Sequence, residues 1–446
     1  MLSSNHPHHS DDDDENEQPQ VVEDENSSSF KGYIKIDSSN KNWENLDSKQ
    51  TKLFKKTKWI ITEKVHGANF CFRLSKRRKE TSLLEETTLS TLSTTTTTTP
   101  TTTITTPPLL NIECAKRKSL LKDSDSFFYF QKVKERLQPV MQQLFQLVEE
   151  KFSTSSSSNN NNNNYTSMNN NENNLRHVYI FGELFGGYYP NMPQLPGIEQ
   201  PIQTGIWYSN DIEFYAFDIA IEFNKPQENT CQPTFVDYET CLEIFSKCNS
   251  QLSCQKTQLL LYAEPLFIGS YEDCMEYNIK FESKIPKKLG MPSIKEANNY
   301  AEGVVIKPLK EIFISKKGKL ERAIIKRKIQ EFSEKKYEQA QKWSSSNATS
   351  SDPNSNFEFI KYEALSCVTE NRLNNAISKI GMINKNDKSQ MNQLLNAFVQ
   401  DVLDELKETN LEGYDQLDTS QLKELNDLIV LECKKTIYGH FKKIMK

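Results

Sequence analysis

The sequence predicts an α+β fold built on antiparallel sheets, followed by a small all-helical region. Two observations predict it. Up to about residue 338, short runs rich in β-branched and aromatic residues alternate with turn formers, as β-strands do. After about residue 356, apolar residues instead recur at the 3.6-residue spacing of helices.

Strand-like composition marks six segments of the first part, namely 58–63, 69–74, 178–181, 212–221, 303–306 and 322–326. One segment there, 127–151, is helical in pattern. Its apolar residues share one helix face, which we expect to lie in the core: Phe130, Val133, Leu137, Met141, Leu144 and Val148.

Three apolar stripes with helical spacing lie in the last part of the chain. They are Leu373, Ala376, Ile377 and Ile380, then Leu394, Leu395, Phe398, Val402 and Leu406, and finally Leu422, Leu425, Ile429, Cys433 and Ile437. Capping candidates precede the third stripe: Asp418, Thr419 and Ser420. We predict a helical C-terminal domain over residues 357–446.

Low-complexity segments set the other expected boundaries. Residues 1–29 contain nine acidic residues and no Lys or Arg, which predicts a disordered acidic tail. The Thr-rich tract at about 87–106 and the Ser/Asn-rich tract at about 153–174 are expected to be inserts in one domain, 30–338. Residues 339–356 are expected to be a linker.

The net charge of −5 depends on the acidic tail. Without residues 1–29 the chain has 51 acidic residues against 55 basic ones. The basic residues concentrate in one stretch: Lys307, Lys310, Lys316, Lys317, Lys319, Arg322, Lys326, Arg327, Lys328, Lys335, Lys336 and Lys342. This stretch is either a solvated face or a track for the phosphates of a nucleic acid.

Cysteine spacing and hydropathy predict the compartment. The nine cysteines form no Cys-x-x-Cys pair, so neither a zinc site nor a disulfide framework is indicated. We find no apolar run of membrane-spanning length and expect no membrane partner. The acidic, Arg-free N-terminus lacks the character of a mitochondrial presequence, so we expect an intracellular protein of the cytoplasm or nucleus.

The motif Lys64-Val65-His66-Gly67 puts a lysine at a turn between two strand-like runs. Alone it indicates only a turn, but five further motifs follow in order. They are Cys114-Ala115-Lys116-Arg117, Phe181-Gly182-Glu183-Leu184-Phe185-Gly186-Gly187, Phe214-Tyr215-Ala216-Phe217-Asp218-Ile219, Ala301-Glu302-Gly303-Val304-Val305-Ile306-Lys307 and Ile324-Ile325-Lys326-Arg327-Lys328. The series resembles that of covalent nucleotidyltransferases, namely polynucleotide ligases and mRNA capping enzymes.

His66 narrows the resemblance, because DNA ligases and capping enzymes normally carry Asp there. The string from Glu63 to Phe70 resembles the RNA ligase 2 family, except that Ala68 stands where Thr is common. The resemblance implies an ATP-grasp-like nucleotidyltransferase fold on antiparallel sheets. Residues 368–375 are also similar to the helical C-terminal module of that family, although a dimerising helical bundle is an alternative for the tail.

A lysine can take AMP from ATP as a nucleophile only when it is deprotonated, and a free lysine has a pKa near ~10.4. Lys326 and Lys328 lie two apart on a predicted strand, so their side chains share a face. If that face lines the pocket, we expect both lysines to hold the α-phosphate and to lower the pKa of Lys64. Phosphoryl transfer also needs Mg²⁺ or Mn²⁺, for which Glu302 is the expected carboxylate.

The resemblance implies the other site residues. Glu183 would accept hydrogen bonds from the ribose hydroxyls, and Phe217 would stack on adenine, with Phe214 and Tyr215 as open alternatives. Arg117 and Asn69 would contact the phosphate or the adenylate. His66 would act when the activated end reacts. The remaining nucleotide contacts would come from the neighbours of Lys64: Glu63 and Val65.

We therefore expect an ATP-dependent RNA ligase that joins 3′-hydroxyl and 5′-phosphate RNA ends through a lysyl-AMP intermediate, in RNA repair or editing. The resemblance implies nicks in RNA duplexes as the substrate. A-form duplexes expose 2′-hydroxyls in a shallow minor groove, so a ligase can select RNA by shape and sugar contacts without recognising a base sequence. The alternatives are a DNA ligase, a capping nucleotidyltransferase, or a non-catalytic nucleic-acid-binding protein.

Overall fold

Two β-sheets carry the residues of the sequence motifs. The computed structural model describes residues 30, 32–34, 36, 46, 48–77, 110–153, 175–224, 233–254, 258–294, 298–316, 319–333 and 353–444. The larger sheet has the strand order β4-β3-β2-β5-β6-β7, and β8 pairs with β6 in parallel. Its strands are β2 (Ala68–Lys76), β3 (Leu110–Lys116), β4 (Ser119–Leu121), β5 (Leu175–Gly186), β6 (Ile212–Phe223), β7 (Thr234–Phe235) and β8 (Leu261–Tyr262).

The smaller sheet has the order β13-β10-β1-β9, and all of its pairs are antiparallel. Its strands are β1 (Trp59–Lys64), β9 (Pro265–Gly269), β10 (Gly303–Pro308) and β13 (Ile325–Lys328). A separate hairpin joins β11 (Phe313–Lys316) to β12 (Lys319–Arg322).

The turn after Lys64 passes from one sheet to the other, because β1 belongs to the smaller sheet and β2 to the larger one. It is therefore not the turn of a simple hairpin. Residues on this crossing segment contact side chains from both sheets, which is what a site assembled from distant motifs requires.

Helices cover the sheets and form the C-terminal region. The first part of the chain contains α1 (Ser48–Lys56), α2 (Phe130–Ser153), α3 (Tyr238–Ser253), α4 (Tyr271–Glu276), α5 (Ile285–Lys288) and a 3₁₀ turn (Gln330–Phe332). The last part contains α6 (Pro353–Cys367), α7 (Glu370–Ile380), α8 (Lys388–Asp415) and α9 (Thr419–Ile444). No helix in the described part of the chain is both long and apolar enough to span a bilayer.

The predicted fold class is confirmed, with an antiparallel-sheet part followed by a helical region. The three predicted stripes fall on α7, α8 and α9. Asp418 caps α9 as a capping box, because its Oδ1 accepts from Gln421 N at 2.8 Å and Gln421 Oε1 accepts from Asp418 N at 3.1 Å.

Separate hydrophobic cores lie under the sheets and within the helical region. The larger sheet packs against α2 and α3, the smaller sheet has its own cluster around Trp59, and α6 to α9 share a third cluster around Phe398. Lys31–Lys446 nevertheless forms one compact unit. The predicted separation of a ligase domain from a helical C-terminal domain therefore stays a prediction.

Three predicted boundaries were wrong. Residues 322–326 are not one strand, because Ala323 N donates to Ile312 O and turns the chain between β12 and β13. The helix predicted from 127 begins at Phe130, since Phe128 and Tyr129 have φ of 44° and 57°, outside the helical region. Four residues of the predicted linker, 353–356, already belong to α6, with Pro353 at its first position. Residues 1–29, 87–106 and 154–174 lie outside the described residues.

Candidate active site

One cavity between the two sheets is lined by every site residue that the sequence predicts. They are Glu63, Lys64, Val65, His66, Asn69, Arg117, Glu183, Phe217, Glu302, Lys326 and Lys328. β1, β10 and β13 supply the lysines and Glu302, whereas the larger sheet supplies Asn69, Glu183 and Phe217. Sequence order alone could not show that these motifs meet.

Glu302 is the electrostatic centre of the cavity. Its Oε2 lies 2.7 Å from Lys64 Nζ and 3.3 Å from His66 Nδ1, and its Oε1 lies 2.9 Å from Lys328 Nζ. Burial alone would raise the pKa of Glu302, but Lys328, Lys64 and His66 together hold it well below its usual range. The two lysines are thus held beside one carboxylate.

Strand register places this cluster. Lys64 pairs with Gly303 across β1 and β10, and Gly303 pairs with Lys328 across β10 and β13. Gly303 has a φ of +149°, and a Cβ there would lie 2.0 Å from Arg327 O. Only glycine allows this approach of the three backbones beside Glu302.

The larger sheet presents Asn69 and Glu183 side by side, since they are direct partners across β2 and β5. Burial raises the pKa of Glu183 to about 7, although nearby Lys64 opposes the rise. Burial likewise raises the pKa of Glu63 to about 7, against hydrogen bonds from Ser283 Oγ and Lys284 N. Both carboxyls are therefore poised to titrate near neutral pH.

β6 forms the end of the cavity where the adenine base is predicted to stack, which we call the base end. Phe214 is buried in the core, with its ring centroid 5.0 Å from that of Phe72, so it does not line the cavity. Tyr215 and Phe217 both line it. Phe217 is the extra residue of a β-bulge, because Phe181 pairs with Asp218 and Gly182 pairs with Ala216. Phe217 as the stacking residue stays a prediction.

A buried polar cluster behind Phe217 was not predicted. The Asp218 carboxylate accepts from Tyr33 Oη, from Lys307 Nζ at 2.7 Å and from Arg322 NH1 at 3.0 Å. Burial would raise the pKa of Asp218, but Arg322 and Lys307 lower it to about 2. Lys307 Nζ also donates to Phe217 O at 2.7 Å, so the cluster anchors the bulge.

The alternative of a phosphate track is therefore wrong for two of its basic residues, because both are buried. Lys307 is 2% exposed and Arg322 is 5% exposed, and both are committed to Asp218. They lie on strand positions that face inward, and a count of positive charges along the sequence does not distinguish inward from outward positions. The sequence signal that could have indicated a buried ion pair here was Asp218, the acidic residue directly after Phe217 in its motif.

The helical region also reaches the cavity. Asn375, Ser378 and Lys379 of α7 and Asp401 of α8 line it. None of these residues belongs to the six motifs, and only Asn375 lies in the 368–375 segment, so the approach of this region to the cavity was not predicted.

The positively charged side chains around Glu302 limit how a metal ion would bind to its carboxylate. Among the described residues, no group of three or more His, Cys, Asp or Glu side chains is arranged to hold a metal ion. Both oxygens of Glu302 already face cations. The cavity therefore fits a divalent ion that is carried mainly by nucleotide phosphates and water, with Glu302 and Glu183 as the carboxylates beside it.

Two family models match the chain. The RNA ligase model matches residues 57–328, and the T4 RNA ligase 2 C-terminal model matches residues 357–435. The first covers Lys64, Lys326, Lys328, Glu63, Glu183 and Glu302 of the cavity, and the second covers Lys379 with the rest of α7, all of α8 and most of α9.

Curated relatives and solved structures are also similar to this chain. It is 26% identical to RNA-editing ligase 2, mitochondrial, of Trypanosoma brucei brucei, over 94% of this chain and 93% of that one. It is 22% identical to RNA-editing ligase 1, mitochondrial, of the same organism, over 63% of this chain and 50% of that one. A Naegleria gruberi RNA ligase mutant solved with ATP and Mn is 12% identical, with a TM-score of 0.33 over 68% of this chain and 58% of that one.

The expected location in the cytoplasm or nucleus was wrong. Both of these relatives are named as mitochondrial, which points to mitochondria instead. The composition of residues 1–29 was poor evidence for location, because a targeting signal is read by a receptor and does not follow from the charge of one segment.

The two family matches decide between the alternatives that the sequence left open. The chain belongs to the RNA ligase family, in its RNA ligase 2 branch, and is an ATP-dependent RNA ligase.

Proposed function

We propose that this ligase works through a lysyl-AMP intermediate on Lys64 and seals nicks in RNA duplexes, in RNA repair or editing. The observation that carries the proposal is the ion pair between Lys64 and Glu302, 2.7 Å long, in a cavity that is lined by Lys326, Lys328 and Glu183. Its relatives' names as RNA-editing ligases support the editing or repair role.

In the first step, the neutral Nζ of Lys64 forms a bond to the α-phosphorus of ATP and releases one further proton to solvent. The bond between that phosphorus and the bridging oxygen breaks, and pyrophosphate leaves with the electron pair. Glu302 is the group within reach of the Lys64 ammonium, while Lys328 and Lys326 line the side where the α-phosphate would lie. The chain's contribution is mainly positioning and charge neutralisation.

In the second step, an oxygen of the RNA 5′-phosphate attacks the α-phosphorus, the bond to Lys64 breaks, and its nitrogen takes up a proton. In the third step, the oxygen of a 3′-hydroxyl bonds to the activated 5′-phosphorus and its proton passes to solvent, while the bond between that phosphorus and the AMP oxygen breaks and AMP leaves with the electron pair. His66 is placed to act here, because its Nδ1 faces Glu302 while its Nε2 is buried with no partner among the described residues. A phosphate oxygen would satisfy that nitrogen when the ring carries a proton on both nitrogens.

A divalent cation, Mg²⁺ or Mn²⁺, would offset the negative charge of the ATP phosphates when bound. Glu302 would be the carboxylate that holds it, because adenylation of Lys64 turns the ammonium ion into a phosphoramide and removes one of the cations that face Glu302. Glu183 would help to hold the cation or the ribose, and its pKa of about 7 makes that contact stronger as pH rises.

Incubation with labelled ATP and Mg²⁺, followed by denaturing electrophoresis, tests this mechanism. Label should stay on the wild-type polypeptide and be absent from Lys64→Ala, which should still seal a nick whose 5′-phosphate is supplied already adenylated. Lys118→Ala, a change of an exposed lysine in the β3–β4 turn, is the matched control. Persistent labelling of Lys64→Ala would exclude Lys64 as the nucleophile.

A further inference from the structure

We propose that Lys379 of α7 supplies the cation for the phosphate group that lies opposite Lys64 across the α-phosphorus. The inference rests on the proposed lysyl-AMP mechanism and extends it to the helical region. Lys379, with Ser378 and Asn375, lines the same cavity as Lys64, on the wall that the two sheets do not provide.

In-line displacement defines this position chemically. When Lys64 attacks, pyrophosphate leaves from the side of the phosphorus opposite Nζ. When the RNA 5′-phosphate attacks in the next step, it enters on that same side while Lys64 leaves. The position opposite Nζ thus receives a phosphate in both steps. The anion at that position needs a cation other than Lys64, Lys326 and Lys328.

Helix α7 is held against the cavity by contacts along its length. At its start, Asn371 Nδ2 donates to Ser333 O at 2.7 Å. In its middle, Gln203 Nε2 lies 3.3 Å from both Gly67 O and Asn374 O, which ties the helix to the turn beside Lys64. After its end, Gly381 lies so close to Phe127 that a Cβ would be 3.0 Å from the ring.

Asn375, Ser378 and Lys379 are spaced three and four residues apart, so they share the face of this anchored helix that borders the cavity. The turn that α7 covers also contains His66 Nε2, the buried nitrogen without a partner among the described residues. A phosphate between α7 and this turn would accept from Lys379 Nζ and, when the His66 ring carries a proton on both nitrogens, from His66 Nε2.

Lys379 can exchange its present partner for a phosphate at little cost. It pairs with Asp401 at 2.5 Å, but its side chain is 42% exposed, and exposed ion pairs contribute little. Asp401 would keep a partner, because the buried Arg372 binds it at 2.8 Å and also faces Glu405 at 3.5 Å. Release of Lys379 therefore leaves no carboxylate unpaired.

The test uses the full-length chain with Lys379→Ala, the conservative variant Lys379→Arg, and Lys423→Ala as a control at an exposed lysine of α9. One arm measures the rate of AMP labelling against ATP concentration and the discharge of the adenylated enzyme by pyrophosphate. The other arm measures transfer of AMP from the enzyme to a 5′-phosphate RNA strand in a nicked duplex, against RNA concentration.

We expect Lys379→Ala to raise the KM for ATP, the KM for pyrophosphate and the KM for the RNA by roughly tenfold each, as the loss of one charge-assisted hydrogen bond would. Lys379→Arg should recover most of each loss and Lys423→Ala should show none. A change in one arm alone would overturn the proposal, because it would show that Lys379 does not serve one site that receives a phosphate in both steps.

Unchanged KM values in both arms would overturn the proposal. So would an equal loss in Lys423→Ala, or a fall in maximal rate with a lowered melting temperature and no change in any KM, which indicates a structural role. These outcomes are separate from failure of the lysyl-AMP mechanism, because that mechanism fails if the wild-type chain takes up no label or if labelling survives in Lys64→Ala.

Discussion

Lys64 and Glu302 are 238 positions apart in sequence, yet Lys64 Nζ lies 2.7 Å from Glu302 Oε2. Glu302→Gln removes the charge that offsets Lys64 and Lys328 in a buried site. We expect AMP labelling to fall by roughly 100-fold or more, because an uncompensated buried charge costs several kcal/mol. Glu272→Gln, at an exposed acid of α4, should leave labelling unchanged. Labelling of Glu302→Gln within a few-fold of wild type would contradict the central role of this carboxylate.

Gly303 offers a test of how the cluster is placed. Gly303→Ala would put a Cβ 2.0 Å from Arg327 O at a φ of +149°, so both clash and strain should destabilise the fold. Gly290→Ala is the matched control, since Gly290 has a φ of +70° but no atom near its would-be Cβ. Chemical denaturation should show a loss of about 1 kcal/mol for Gly290→Ala and a clearly larger loss for Gly303→Ala. Equal losses would mean that β10 and β13 do not pack closely enough at Gly303 to exclude a Cβ atom.

Substitution of Tyr33 tests the role of the buried Asp218 cluster that lies behind Phe217. Its hydroxyl donates to Asp218, and its ring meets that of Phe217 edge-on at 4.9 Å between centroids. Tyr33→Phe keeps the ring and removes the hydrogen bond, so Phe217 should be held less firmly. We expect a several-fold rise in the KM for ATP during labelling, with little change in maximal rate. The control is Tyr188→Phe, at an exposed tyrosine, and an unchanged KM in Tyr33→Phe would argue against the anchoring role.

Much of the fold follows from local patterns, whereas the cavity depends on contacts between distant residues. β-Branched residues in alternation identify strands, and the Asp418 cap identifies the start of a helix. Both signals act within a few residues along the chain. The inward orientation of Lys307 depends on a buried Asp218 that is 89 positions away. Likewise, Lys379 reaches the cavity only because Gln203 and Asn371 hold α7 in place, and no pattern within α7 shows this.

Glu63 predicts a pH dependence of stability. Burial raises its pKa in the folded protein from 4.5 to about 7, so folding favours the protonated form. The stability it contributes is fully present below about pH 4.5 and is lost as pH rises through 7, by at most about 3 kcal/mol. Glu63→Gln removes this titration, and its free energy of unfolding relative to wild type should be higher at pH 8 than at pH 5. A difference that does not vary with pH, like that expected for Glu272→Gln, would contradict the assignment.

A chain that ends at Trp343 separates the chemistry from substrate binding. It keeps every motif residue that lines the cavity, and the core of α6 to α9 is distinct from the cores under the sheets, so we expect it to fold, as a melting curve would verify. Labelling at saturating ATP should persist, because Lys64, Glu302, Lys326 and Lys328 all remain. Higher ATP concentrations should be needed, since Lys379 is removed.

Nick sealing by the same truncated chain should fall at least tenfold, and the deficit should grow between about 50 and 200 mM salt. Fewer phosphate contacts remain to hold the duplex, and those that remain weaken as counterion release becomes less favourable. Sealing of a 5′-phosphate nick across a salt series, beside the full-length protein, measures this. Equal sealing by both chains at every salt concentration would show that α6 to α9 do not hold the substrate, and would leave dimerisation as the better explanation of the helical region.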